Sequence, residues 1–242
     1  GKNIIAVGNL THFDEINVSS SRGPAIDNRI KPDICAVGTG IISTDINQGY
    51  FTLSGTSMSA PAITGLLAQI TEAYKEHYME NPDGALLKAL LLNSSDDLGN
   101  KGPDFTYGWG KANGKKMLES VRKQQFIKGS GTQNSIDTIM LIIPEGIAKA
   151  RIMLYWHDHP GMINSAKNLV NDLDLMVSDS TFNSFLPWKL DPGPNPTVIA
   201  VQSPATKGID TLNNVEQVEI ENPIPGRYTI EVKGTKVPMG PQ

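Results

Sequence analysis

The run Gly55-Thr56-Ser57-Met58-Ser59-Ala60-Pro61 joins a hydroxyl nucleophile to the start of an apolar segment. The spacing that follows predicts a helix over 57–78 whose buried face carries Ala60, Ile63, Leu67, Ile70 and Tyr74. Ser57 then stands at the mouth of that helix. The first turn of a helix leaves backbone N–H groups unpaired and carries partial positive charge. A serine oxygen that attacks a carbonyl there meets donors for the oxyanion it creates. Gly55 permits close approach of backbone and substrate, and Pro61 is read as part of the tolerant first turn. The plain alternative for such a serine is a helix cap.

A serine hydroxyl becomes a nucleophile only when a base within hydrogen-bond reach takes its proton. The chain has four histidines, His12, His77, His157 and His159. His12 sits in a polar loop. His77 lies about five turns down the same helix, roughly 30 Å from Ser57. His157 and His159 flank Asp158 at a strand end, where a His-Asp-His cluster can bind metal but a surface loop is the simpler reading. None suits the role of base. A different chemistry is suggested by Asn171-Asp172-Leu173-Asp174 and by the group Asp210, Asn213, Asn214 and Glu216. In a strand, Asp172 and Asp174 share a face. Hard cations such as calcium take six to eight oxygens, often from separate loops. Asp172, Asp174, Asp210 and Asn214 are therefore the candidate ligands, against the alternative that these side chains cap turns.

The elements that must hold these residues change texture along the chain. Up to residue 127 strands alternate with helices, which predicts an α/β domain. Asn3–Val7 and Ile34–Val37 read as short buried strands, Gly40–Thr44 and Tyr50–Ser54 as a further pair. Asp83 and Asn113 read as N-caps of helices over 84–93 and 114–122, and Gly108-Trp109-Gly110 as a tight turn around a large anchor. From 128 to 242 short β runs follow, at Ser135–Ile143, Lys149–Trp156, Leu173–Ser178, Thr197–Val201, Glu216–Glu221 and Arg227–Lys233. Their density predicts an antiparallel sandwich or jelly roll. Residues 187–213 read as a long surface loop in which Trp188 is a buried anchor or a contact residue. The net charge of −4 gives no footprint for nucleic acid, no apolar stretch is long enough to span a bilayer, and the single Cys35 excludes an internal disulfide.

The septet resembles the nucleophile motif of the subtilisin-like serine proteases, the subtilases. Ser19-Ser20-Ser21-Arg22-Gly23-Pro24, Arg29-Ile30-Lys31-Pro32-Asp33-Ile34 and Ala36-Val37-Gly38 resemble the stretch that precedes it in that family. The segments 87–93 and 107–111 resemble the helix and turn that close the domain. Leu154-Tyr155-Trp156-His157-Asp158, Leu169-Val170-Asn171-Asp172-Leu173-Asp174-Leu175 and Gly226-Arg227-Tyr228-Thr229 resemble the C-terminal β-barrel of one subtilase branch, related in architecture to P-domains. The resemblance implies a partial subtilisin-like parallel-sheet domain over 1–127 and a P-domain-like β-sandwich over 128–242.

It also implies an endopeptidase that passes through an acyl-enzyme on Ser57, a peptide or protein substrate, calcium in the barrel, and a secreted, cell-surface or periplasmic location. The family's Asp-Ser/Thr-Gly and His-Gly motifs and its oxyanion Asn do not occur in this sequence. The expectation is a fragment, short of its last barrel strand and of the N-terminal part of the catalytic domain, and inactive alone. The alternative is a non-catalytic binding or adhesion protein with a degenerate protease core and a calcium-stabilised sandwich.

Overall fold

The computed structural model describes residues 1–46, 48–163 and 165–241. It divides into an α/β unit, Ile4–Phe126 with Pro192–Pro204, and a β unit, Gly1–Asn3 with Ile127–Asp191 and Ala205–Gln242. The division thus departs from a single boundary at 127/128 at the N-terminal tripeptide and within the long loop.

In the α/β unit, β1 (Val7–Leu10) and β2 (Ile34–Val37) pair in parallel, with Val7 opposite Ile34 and Leu10 opposite Val37. The first strand begins later than its apolar run predicts. The backbone of Ala6 is taken by Asp33, whose carboxylate accepts the Ala6 N–H at 2.7 Å, and Ile4 is exposed. Next come the antiparallel hairpin β3 (Ile41–Thr44) and β4 (Tyr50–Leu53) and three helices: α1 (Thr56–Tyr78), α2 (Gly84–Asn93) and α3 (Gly114–Arg122). Asn113 caps α3 by accepting from Lys116 N–H, whereas Asp83 holds the cap position of α2 without a side-chain cap bond. The apolar run of α2 buries Leu86, Leu90, Leu91 and Leu92, as its composition predicts.

α1 packs on β1, β2 and α3. Its buried residues are Ser59, Ile63, Ile70 and Tyr74. Leu67 is half-buried and Ala60 exposed, contrary to the predicted face, because a two-stranded sheet covers only a narrow stripe of the helix. Pro61 is not in the first turn but is the sixth residue of α1, inside the helix. It has no N–H for the Ser57 carbonyl four residues back, yet the helix runs on to Tyr78.

The β unit holds β5 (Ile136–Ile143), β6 (Lys149–Tyr155), β7 (Asp172–Asp179), the short β8 (Ser184–Phe185), β9 (Trp188–Lys189) and β10 (Thr206–Lys207), then β11 (Val215–Glu221) and β12 (Gly226–Lys236). All its ladders are antiparallel: a four-stranded sheet in the order β5-β12-β7-β8, and the pairs β6-β11 and β9-β10. Ile143, Leu175, Val177 and Tyr228 from the larger sheet share one apolar core with Val218 and Ile220 of β11. Inside the predicted loop Trp188 is buried, which makes it an anchor. The predicted strand Thr197–Val201 is instead a short helix, α4 (Val198–Gln202), in the α/β unit. Thr197 caps it by accepting Ala200 N–H at 3.1 Å, and this local bond overrides the β preference of Val198, Ile199 and Val201.

Candidate active site

Ser57 is the second residue of α1 and is exposed. The N-cap, Gly55, is in extended backbone and puts no side chain over the turn, and the first turn carries no acidic residue. The Gly55 carbonyl accepts the N–H of Met58 at 3.0 Å and, more weakly, that of Ser59 at 3.3 Å. Among the described residues nothing pairs with the N–H groups of Thr56 and Ser57 or with the Ser57 hydroxyl. An added Cβ on Gly55 would meet only Ser57 N, at 3.8 Å, so the space in front of the turn is open. The hydroxyl and the free N–H groups can therefore address one incoming carbonyl, as acyl transfer requires.

The turn is tied to the parallel strands from below. Gly55 N–H donates to Gly38 O at 2.9 Å. Gly38 follows β2, and a Cβ on it would lie 2.6 Å from Gly55 O and 2.8 Å from Asn9 Oδ1, besides striking Ser59 Oγ. Sequence reading singled out neither Gly38 nor Asn9 for this role. The only available signal was the apolar strand context, which does not reveal that segments around 9, 38 and 59 meet.

Neither histidine of the α/β unit bonds Ser57. His12 is exposed, and His77 is on the last turn of α1. In the β unit His157 is exposed with its ring edge-on to Tyr155, 5.6 Å between centroids. Asp158 between the two histidines is a structural hub: it pairs with Lys2 Nζ at 2.5 Å and accepts Val170 and Asn171 N–H, each at 2.8 Å. Cys35 is buried, and burial, with the Asp104 charge, pushes its thiol up to about 12, so it is no rival nucleophile.

The candidate cation ligands lie in the β unit. Asp172, Asp210 and Asn214 are buried and Asp174 is half-buried. Asn214 donates its amide to Trp156 O at 2.7 Å and Asn3 Oδ1 at 3.1 Å, which ties down its nitrogen. Glu216 is fully buried. Burial pushes its carboxyl well above the usual range, against the Leu175 N–H it accepts at 2.6 Å, and the charges of Asp210, Asp174 and Asp172 push the same way. Burial likewise takes Asp210 up to about 6, although Leu212 and Asn213 donate to it. Asp172 is raised by burial and by Asp174, and Lys167, 3.6 Å from its Oδ2, opposes this. Glu216 Oε1 and Asp172 Oδ1 are buried with no hydrogen-bond partner. Among the described residues no group of three His, Cys, Asp or Glu side chains is placed to hold a metal ion. The donor set is nonetheless all-oxygen and anionic, which suits a hard cation.

Fold and site together define a parallel α/β unit that presents an exposed serine at the open amino end of its longest helix. Residues 1–110, a segment that includes all of α1 and its Ser57, match the model of the Subtilase family, Peptidase_S8. It is similar to the serine protease/ABC transporter B family protein tagB of Dictyostelium discoideum, 26% identical over 313 residues that take in 95% of this chain and 16% of that protein. It is also similar to the minor extracellular protease Vpr of Bacillus subtilis, 30% identical over 170 residues, 62% of this chain and 20% of that protein. Among solved structures, the self-cleaved protease domain of PatA aligns over 50% of this chain and 42% of that one, with a TM-score of 0.43 and 22% identity. The chain therefore spans a small part of the curated relatives it matches.

Proposed function

We propose that this chain supplies the nucleophile of a serine endopeptidase, with Ser57 attacking the peptide carbonyl and forming the acyl-enzyme. The observation that carries the reading is an exposed hydroxyl beside unpaired N–H groups at the amino end of a 23-residue helix. Ser57 N–H is one oxyanion donor, and Thr56 and Met58 flank the reacting carbonyl. The base and the residue that orients it come from sequence outside this chain, since neither His12 nor His77 engages Ser57 and its hydroxyl is unpaired among the described residues. Loss of the base from such a pair costs on the order of 10⁶ in kcat, so residues 1–242 alone are inert. Substrates are peptides or proteins. A secreted or cell-surface location is supported by the relative named as extracellular. Among the described residues no helix is long and apolar enough to cross a membrane.

A fluorophosphonate probe tests this. The full-length protein should be labelled at Ser57, and Ser57→Ala should abolish the label, while residues 1–242 alone stay unlabelled. An unreactive full-length protein sinks the nucleophile reading and favours a binding protein on a degenerate core. Labelling of the isolated chain shows that the base lies within it.

For the β unit we propose a structural calcium ion in a sandwich of jelly-roll type, with ligands drawn from Asp172, Asp174, Asp210 and Asn214 and the buried Glu216 beside them in sequence. The unpartnered Glu216 Oε1 and Asp172 Oδ1 support it, because buried carboxylate oxygens without partners are costly unless a cation or proton meets them. Calorimetric titration with calcium after chelation reads the binding directly, and absence of heat removes the claim.

A further inference from the structure

The first turn of α1 rests on a buried polar chain that the nucleophile reading does not itself require. Asn9, in β1, is fully buried. Its Oδ1 accepts two hydrogen bonds, from Thr39 Oγ1 at 3.1 Å and from Ser59 Oγ at 3.4 Å. Thr39 Oγ1 in turn accepts from Asn17 Nδ2 at 3.0 Å. The Asn9 backbone is fixed as well: its N–H donates to Ser20 Oγ at 3.0 Å and its carbonyl accepts Asn17 N–H at 2.9 Å. Ser59 stands two residues after the nucleophile and is fully buried, and Gly55 stands two before it, tied to Gly38. Both flanks of Ser57 are thus anchored to the parallel strands, one through a backbone bond and one through the Asn9 amide.

An apolar side chain at position 9 would avoid burying an amide but would leave the buried Ser59 hydroxyl without its acceptor. A buried amide is tolerated when its hydrogen bonds are made, and here Asn9 Nδ2 has no partner. A polar group retained at such a cost beside a nucleophile points to a requirement for orientation.

We propose that Asn9 is a positioning residue for Ser57. Through Ser59 it sets the first turn of α1 so that the Ser57 hydroxyl and the free N–H groups face the same carbonyl, and Thr39 holds the Asn9 amide in the orientation that does so. The inference rests on Ser57 being the nucleophile.

The experiment uses the full-length protein with Asn9→Leu, Ser59→Ala, Thr39→Val and Thr39→Ser. It reads the rate of fluorophosphonate labelling at Ser57, kcat and KM on a peptide substrate, and the thermal midpoint. The first three variants should lower kcat and the labelling rate about ten-fold, the scale of one hydrogen bond, with KM within about two-fold. Thr39→Ser, which keeps the hydroxyl, should recover most of the loss seen in Thr39→Val. If Asn9→Leu fails to fold, the half-buried Thr39 and the small Ser59→Ala change still decide. Unchanged labelling in Thr39→Val and Ser59→Ala, against a reactive wild type, overturns the proposal alone. A drop that merely follows loss of folded protein also overturns it. An unreactive wild-type Ser57 overturns the nucleophile reading, and this inference with it.

Discussion

Gly38 and Gly55 show how differently two glycines serve one turn. At Gly38 the oxygens of Gly55, Asn9 and Ser59 fill the place a side chain would take. Gly38→Ala should therefore cost about 1–3 kcal/mol by overpacking and should also slow labelling of Ser57, because the displaced atoms are those that hold its turn. Urea unfolding and probe kinetics together check this, and an alanine variant with wild-type stability and reactivity would deny the close approach. At Gly55 the backbone is extended and a Cβ would meet little, so that side of the turn is open. That Ser57 stands at the start of a helix was legible from sequence because that signal is local. Gly38, Asn9 and Thr39 were not, because their importance arises only where three segments distant in sequence converge.

At the scale of elements, helices were read more accurately than strands. α2 and α3 begin and end where their caps and apolar runs predict, since those signals are contained in the helix itself. β1 and α4 were misplaced because a carboxylate at Asp33 and a cap at Thr197 captured backbone groups that the apolar pattern had assigned to strands. Asp33 also explains the one charge within the apolar run of α2. Lys88 is 2% exposed, pairs with Asp33 Oδ1 at 3.0 Å and donates to Ile4 O at 2.7 Å. Burial brings its ammonium down to about 8, only partly opposed by Asp33.

In the unfolded chain that ammonium keeps its proton to about 10.5, whereas the folded chain releases it near 8. Between the two the unfolded state binds more protons, so this group makes stability rise with pH across the window and lowers it below pH 8. The full effect is on the order of 3 kcal/mol. Lys88→Met should remove that alkaline rise in denaturant midpoint. Parallel pH curves for wild type and variant would show that the buried ammonium is not the cause.

At the scale of the whole molecule, the sequence foretold an α/β part and an antiparallel β part, because the hydrophobic period changes near residue 128. Each unit has its own core, and the consequences of a ligand should be local. Sequence also singled out the two oxygen-rich groups of the β unit; what it did not show is that the Asn214 nitrogen donates to Trp156 and Asn3 and that Glu216 is fully buried. With calcium at about one hundred times its Kd, the β unit should gain about 2.7 kcal/mol. Amide exchange should slow in β7 and β11 and stay unchanged in α2.

Glu216→Gln gives the sharper outcome. It removes a buried charge repelled by three aspartates, so without calcium the variant should be more stable than wild type. With calcium it should lose the gain, because a ligand oxygen has lost its charge. That crossing of the two variants' thermal midpoints separates a cation site from carboxylates that simply hold protons: protonated carboxylates give the first effect without the second, and a calcium response that survives in Glu216→Gln places the ion on other groups.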